Sequence, residues 1–343
     1  MAANTLKFGI LGAGNIGCYI GAHLIRAGID TILVGRENLA QEIRENGIRI
    51  TDFTGTDFSL QPDQIRYTTE IESLADRDIV LVTLKNLATE AAAHNLKPVL
   101  PSGKIIVSFQ NGVRNADKLR SILPEIHVLA GMVPYNVVRN PRAHFHCGTS
   151  GSLLVEEQGT ISQAVLSGLQ SAGLAAKNHP NLPGILWGKL ILNLNNSINA
   201  LSGVPLREEL SQPLYRKIIA ATMREALLVL KQSGIRPLRS GSMIPGIVPI
   251  VLQLPNVLFF RVASSMIKID PQARSSMWED MQRGRETEID YINGEIVALA
   301  KKNGLSAPIN NAIANLIKEQ ENHKGGFSGM SALDMAKRLN ISV

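Results

Sequence analysis

Through the first half of the chain, short apolar runs alternate with stretches whose apolar residues recur at helical spacing. The first run, Leu6-Lys7-Phe8-Gly9-Ile10-Leu11, leads into a helical pattern over 15–27 and then a second run, Thr31-Ile32-Leu33-Val34. Further runs predict strands near 78–84, 104–108 and 126–131, with helices over 87–97 and 115–122 between them. Alternation of this kind implies a parallel sheet with helices on both faces. Residues 48–68 and 133–156 alternate apolar and polar positions, which predicts short antiparallel strands.

After about residue 180 the strand pattern stops. Helices are predicted over 184–200, 207–233, 247–267, 276–304 and 308–320. The change falls at Lys177-Asn178-His179-Pro180-Asn181-Leu182-Pro183. A chain of 343 residues also exceeds the usual size of one core. The expected architecture is therefore α/β: a Rossmann-like, doubly wound domain over 1–179, then an all-helical domain over 180–343. Ligands of such sheets bind at the carboxyl ends of the strands, where a cleft between the two domains is expected to open.

Charge and composition narrow the partners. The net charge is +6 and aromatic residues make up only 4% of the chain, with no long run of like charges. A nucleic-acid surface of basic residues and stacking rings is not expected. A modest positive balance suits small acidic ligands instead. Cys18 and Cys147 are too few for a disulfide framework and point to a reducing compartment. The N-terminus runs straight into the first predicted strand, so no leader peptide is expected, and the localisation read from these features is cytoplasmic. Ser240 to Phe260 has no charged side chain but contains Pro245, Pro249 and Pro255. So interrupted a stretch is a poor membrane span, and buried helices or a covering loop are expected there.

Gly12-Ala13-Gly14-Asn15-Ile16-Gly17 sits between the first strand and the first helix. In that context the G-x-G-x-x-G turn is a dinucleotide fingerprint. Gly12 permits the tight turn, Gly14 lets backbone approach the pyrophosphate, and Gly17 lets the helix pack on the strand. The helix N-terminus then faces the anion. The second strand ends Val34-Gly35-Arg36, with Arg36 where an NAD site tends to carry an acid. A guanidinium grips a 2′-phosphate, which selects NADPH; the plainer alternative is a surface ion pair with Glu37.

Behind the boundary, Trp187-Gly188-Lys189-Leu190-Ile191-Leu192-Asn193 places Lys189 and Asn193 on one helical face, with Ser197 a turn further. Ser275-Ser276-Met277-Trp278-Glu279-Asp280 offers a capping box from Ser276 to Glu279. Thr287-Glu288-Ile289-Asp290-Tyr291-Ile292-Asn293-Gly294 follows. On one continuous helix Ser276 and Glu288 would lie about 120° apart, so a break near Gly284 is needed for them to converge. No set of His, Cys and acids has metal-ligand spacing, and His144 and His146 read as ordinary strand residues.

Taken together, the glycine fingerprint, Val82-Thr83-Leu84-Lys85, Gln110-Asn111-Gly112, Trp187-x-Lys189-x-x-x-Asn193, Ser275-Ser276-Met277 and Thr287-Glu288-Ile289-Asp290-Tyr291 resemble the ketopantoate reductase (2-dehydropantoate 2-reductase) family. The resemblance spans nearly the whole chain. It implies NADPH-dependent reduction of 2-dehydropantoate in pantothenate synthesis, with Lys189 and Glu288 as the catalytic pair. It further implies substrate contacts from Asn193, Ser197, Ser276 and Asn111, and places Lys85 and Asn111 at the cofactor and the reacting centre. Many members carry a second substrate-binding Asn two turns after the lysine; this chain has Ser197 there, beside Asn195, Asn196 and Asn199. The 236–274 segment is also longer and more apolar than the usual connection. Both departures leave open another branched or polar 2-keto acid as substrate. A non-catalytic NADPH sensor is the reading from a different class, and the lysine argues against it. Ketone reduction leaves a developing alkoxide, which calls for a positive proton donor such as Lys189. No membrane or nucleic-acid partner is expected, and a homodimer is compatible with the sequence.

Overall fold

The computed structural model describes residues 6–241, 243–263, 273–322 and 329–342. They divide into two compact units, Met1–Pro183 and Gly184–Val343.

The first unit contains strands β1 (Phe8–Leu11), β2 (Thr31–Val34), β3 (Ile48–Asp52), β4 (Asp57–Leu60), β5 (Arg66–Thr68), β6 (Ile79–Val82), β7 (Ile105–Ser108), β8 (His127–Met132), β9 (Val137–Asn140), β10 (His144–Cys147), β11 (Leu153–Glu156) and β12 (Ala176–His179). Its helices are α1 (Asn15–Arg26), α2 (Glu37–Asn46), α3 (Thr89–Leu96), α4 (Asn115–Ile122) and α5 (Gly159–Ser171). The main sheet has the order β12-β11-β8-β7-β6-β1-β2-β5. Among the described residues, its one antiparallel pairing is that of β11 with β8. The order reverses at β1, and Leu11 is level with both Val34 and Val82. The loops after β1, β2 and β6 therefore start at one edge, at the switch point where such sheets bind ligands.

A second sheet, β4-β3-β10-β9, lies beside α1. This explains why α1 is apolar all round: Gly17 to Leu24 are all buried, with Tyr19 stacked edge-on against Tyr135 and His23 against Phe58. One sequence expectation needs correction, and three elements lie outside the predicted set. Residues 48–68 and 133–156 are not simply antiparallel: β5 pairs parallel with β2, β10 pairs parallel with β3, and β11 joins the main sheet. Strand β12, Ala-Lys-Asn-His, lacks any β-branched residue and is paired by tertiary context. Helices α2 and α5 likewise lie outside the elements that the sequence pattern predicts.

Helix α6 (Leu182–Asn193) leads into the second unit. It is followed by α7 (Asn195–Ser202), α8 (Leu206–Ser211), α9 (Pro213–Gln232), α10 (Val248–Val251), α11 (Asn256–Val262), α12 (Ser276–Gln282), α13 (Asn293–Lys302), α14 (Pro308–Glu321) and α15 (Ala332–Arg338). The single helix expected over 184–200 is broken at Leu194. The one expected over 276–304 is two helices and a 3-10 turn, Ile289–Tyr291. Gly284 at φ +60° ends α12: its amide bonds Met281 O, and the Arg285 amide reaches back to Asp280 O at 2.8 Å. This is the paired bonding of a left-handed helix stop.

A chain of buried amides holds the helices together. Ser197 Oγ lies 2.8 Å from Asn293 Oδ1, Asn293 Nδ2 donates to Asn310 Oδ1 at 3.0 Å, and Asn310 Nδ2 donates to Glu225 Oε1 at 2.9 Å. Glu225 also accepts from the amides of Ile309 and Asn310, capping α14.

The expected burial of 240–260 is only half met. Val248, Leu252 and Phe259 are buried, but Ile250 is 61% and Val257 82% exposed. The predicted helix over 247–267 is α10 and α11, separated by Pro255, and 264–267 lie outside the described residues. Arg216 of α9 anchors this segment from below. It is buried, donates to the carbonyls of Leu252, Leu254 and Leu210 and to Asn256 Oδ1, and sits 4.3 Å from the Phe259 ring centroid. Among the described residues, no helix is long and apolar enough to cross a membrane.

Candidate active site

In the first unit, the glycine turn is defined by its backbone. Gly12 has φ +96°, and the amides of Gly12 and Ala13 both reach Val34 O at 2.9 Å. Thr83 Oγ1 donates to Gly12 O at 2.8 Å, which ties the turn to the end of β6. A Cβ on Gly17 would meet Gly12 O and Thr83 Oγ1 at 2.7 Å, so only glycine lets α1 start this close to the sheet. Gly14 differs: it is exposed, and an added Cβ would meet only Gly12 O, at 3.9 Å. None of the described residues requires glycine at 14, whereas a pyrophosphate approaching the backbone would. The amides of Asn15, Ile16 and Gly17 precede the first intrahelical bond, from Cys18 N to Gly14 O. They form the donor end that suits such an anion. Ala13 is buried and Ile16 half-buried, while Asn15 Nδ2 donates to Val137 O at 2.9 Å.

Arg36 is exposed at the tip of β2. The alternative pairing with Glu37 is not made, because Glu37 bonds Arg44 instead. Among the described residues no acid pairs with Arg36. These residues fit a dinucleotide with a 2′-phosphate.

Lys85 follows β6 and Asn111 follows β7, both exposed beyond the same carboxyl edge as the turn. A buried network that the sequence reading missed joins their loops. Gln110 Nε2 donates to Leu84 O at 3.2 Å and to Thr89 Oγ1 at 2.7 Å. Thr89 Oγ1 donates to Asn115 Oδ1 at 3.1 Å, and Asn115 Nδ2 reaches Asn86 Oδ1 and, at 2.6 Å, Asn111 O. Asn111 is thus fixed by its own carbonyl. The signal available was Gln110-Asn111-Gly112 beside an Asn four residues on.

In the second unit, Lys189 is half-buried on α6, with Asn193 half-buried at its last position. A Cβ on the neighbouring Gly188 would sit 1.9 Å from Leu238 O, so this helix lies directly against the 238 backbone. Burial lowers the Lys189 ammonium to about 8, while the Glu288 carboxylate beside it acts in the opposite direction. Glu288 is half-buried just before the 3-10 turn. The break near Gly284 expected between Ser276 and Glu288 is present.

Two sequence expectations are corrected. The cap of α12 is Ser275, whose Oγ accepts from Trp278 N at 3.2 Å; Ser276 is the exposed first helical residue. Ser197, expected at the substrate, is wholly buried and bonded to Leu194 O and Asn293 Oδ1, which places it in the core.

The model of the family described as "Ketopantoate reductase PanE/ApbA" matches residues 8–159, and that of its C-terminal part matches residues 181–321. The chain belongs to the ketopantoate reductase family. A 2-dehydropantoate 2-reductase of Archaeoglobus fulgidus is 27% identical over 320 residues, spanning 91% of this chain and 97% of its own. A crystal structure of a PanE/ApbA family ketopantoate reductase from Ralstonia eutropha is 28% identical. It aligns with a TM-score of 0.79 over 92% of this chain and 99% of its own. D-mandelate dehydrogenase, solved with NADH and anilino(oxo)acetate, shares the fold at a TM-score of 0.75 and 21% identity, covering 92% of this chain and 99% of its own.

Proposed function

We propose that this ketopantoate reductase converts 2-dehydropantoate to pantoate with NADPH, and that Lys189 delivers the proton. The chemistry that NADPH supplies when bound is hydride addition to the carbonyl carbon. The chain's own task is to hold the keto acid and neutralise the oxygen on which charge develops. Lys189 does both, through its positive charge and then its Nζ proton. The single observation behind this reading is the ammonium lowered to about 8 by burial, acidic enough to give up a proton near neutrality yet mainly charged at pH 7.

Glu288 keeps Lys189 from losing its proton altogether and orients it. Asn193, one turn along the same face, and Ser276 at the start of α12 hydrogen-bond the substrate. On the first unit, Gly12 to Gly17 hold the pyrophosphate and Arg36 the 2′-phosphate, with Lys85 and Asn111 toward the nicotinamide end. The free, buried cysteines Cys18 and Cys147 suit a reducing compartment such as the cytoplasm.

One observation favours a second reading. Ser197, where many relatives carry a substrate-binding Asn, is committed to the core. A pocket so altered suits another branched or polar 2-keto acid. Initial rates of NADPH oxidation across a panel of 2-keto acids test both. The highest kcat/KM on 2-dehydropantoate supports the first reading, and a different preferred acid the second. Absence of turnover on every acid would return the chain to a binding role.

A further inference from the structure

Helix α12 carries Ser276, and the bonds at its start lead back through Asn199 to a buried acid. Glu209 of α8 is fully buried. Its Oε2 accepts from Asn199 Nδ2 at 3.1 Å and from Asn195 Nδ2 at 3.3 Å. Asn199 is fully buried as well. It donates to Val204 O at 3.0 Å, and its Oδ1 accepts from the Ser275 amide at 2.8 Å. Ser275 Oγ then donates to Asn196 O at 2.9 Å and caps α12 by accepting from Trp278 N. The Leu206 amide adds a bond to Ala273 O at 2.9 Å.

The arrangement is directional. An Asn amide turned over exchanges its donor and acceptor ends. Two acceptors, Glu209 Oε2 and Val204 O, hold the NH2 end of Asn199 in place. That leaves Oδ1 facing Ser275 N, a donor that burial would otherwise strand. Burial also raises the Glu209 carboxyl to about 8, so it is neutral at pH 7 and a Gln amide can imitate it.

We propose that Glu209 is a positioning residue for substrate binding, acting through Asn199 and the Ser275 amide to set where α12 presents Ser276. The inference rests on Ser276 being a substrate contact. None of these hydrogen bonds is made by Lys189 or Glu288, so the effect falls on KM and not on the chemical step.

Steady-state kinetics of the full chain with NADPH and 2-dehydropantoate test it. Glu209→Met, close in shape but unable to accept, raises the KM for the keto acid about tenfold, the size of one lost hydrogen bond. Its kcat and its NADPH affinity, read by fluorescence titration, stay at the parent values. Glu209→Gln restores KM. The double variant Glu209→Met/Ser276→Ala has the KM of Ser276→Ala alone, because both changes remove the same contact. Should Glu209→Met not fold, Glu209→Asp withdraws the oxygen from Asn199 by one methylene and is read the same way. If Ser276→Ala raises KM but the Glu209 variants do not, or if Gln fails to restore it, Glu209 only packs the core. If Ser276→Ala leaves KM unchanged, the reading of Ser276 fails and this inference fails with it.

Discussion

The glycine turn occupies six consecutive residues and is held by bonds to the strands on either side, whereas Lys189 and Glu288 come together from segments nearly a hundred residues apart. The turn's shape is written in local backbone: a left-handed Gly12, a close approach at Gly17, open space at Gly14. The lysine site depends on tertiary support: a helix stop at Gly284, a cap at Ser275, and buried amides running from Ser197 through Asn293 and Asn310 to Glu225. A local site should tolerate distant changes and fail abruptly when its own atoms change. A dispersed one should lose function by degrees as its supports are removed. The two units can therefore be separated by mutation.

The largest effect is expected at Lys189. Lys189→Ala lowers kcat by roughly 10²–10⁴-fold, the usual share of a proton donor. NADPH binding by fluorescence survives, because the fingerprint lies in the other unit. In the parent enzyme the ammonium is the active form, so kcat/KM falls as pH rises through about 8. In Lys189→Arg that basic limb disappears from the measured range, since a guanidinium does not deprotonate there. Near-parental turnover in Lys189→Ala would remove the lysine from the mechanism.

Gly14→Val breaks the other side of the comparison. A branched side chain placed where the pyrophosphate meets the backbone weakens NADPH binding about a hundredfold, near the upper end of what overpacking costs. The protein itself offers a Cβ at 14 only Gly12 O at 3.9 Å, so the thermal transition of the apoprotein hardly moves. A large fall in that transition with unchanged NADPH affinity would mean Gly14 serves the fold and not the ligand.

Legibility in the sequence follows the same division. The β1-turn-α1 unit could be read because strand, glycines and helix are consecutive, and the periodic strands around it set a parallel sheet. What escaped was decided by pairing at a distance: β5 beside β2, β10 beside β3, and β12 with no strand-forming residues of its own. In the helical unit the residues of interest were visible as short motifs, but their roles were not. Ser275 and Ser276 are adjacent and chemically alike; only the bonds to Trp278 N, Asn196 O and Asn199 show that the first is the cap. Glu209 carried no sequence signal, since a Glu in Arg-Glu-Glu-Leu reads as a solvated face.

Arg36→Ala sharpens the cofactor half. With Glu37 bonded to Arg44, Arg36 is available to a 2′-phosphate. Its loss weakens NADPH binding by about 1–3 kcal/mol, the range of a hydrogen bond to a charged group. NADH binding barely changes. Equal losses for both cofactors in parallel titrations would show that Arg36 does not read the phosphate.

The smallest effect is expected at Ser197, and it tests whether the dispersed site and its supports are distinct. Ser197→Ala removes a hydroxyl from a wholly buried position and takes the hydrogen bond from Asn293 Oδ1. A buried acceptor left in this way costs about 1–3 kcal/mol, and the alanine creates little cavity. For a helical unit of this size that is a drop of a few degrees in Tm. Because Asn293 remains bonded to Asn310, the helices keep their arrangement, and the KM for the keto acid stays at its parent value. A lower Tm with unchanged KM places Ser197 among the supports. A raised KM with unchanged Tm would instead make Ser197 a substrate contact, and the division drawn between the lysine site and the buried amides beneath it would be wrong.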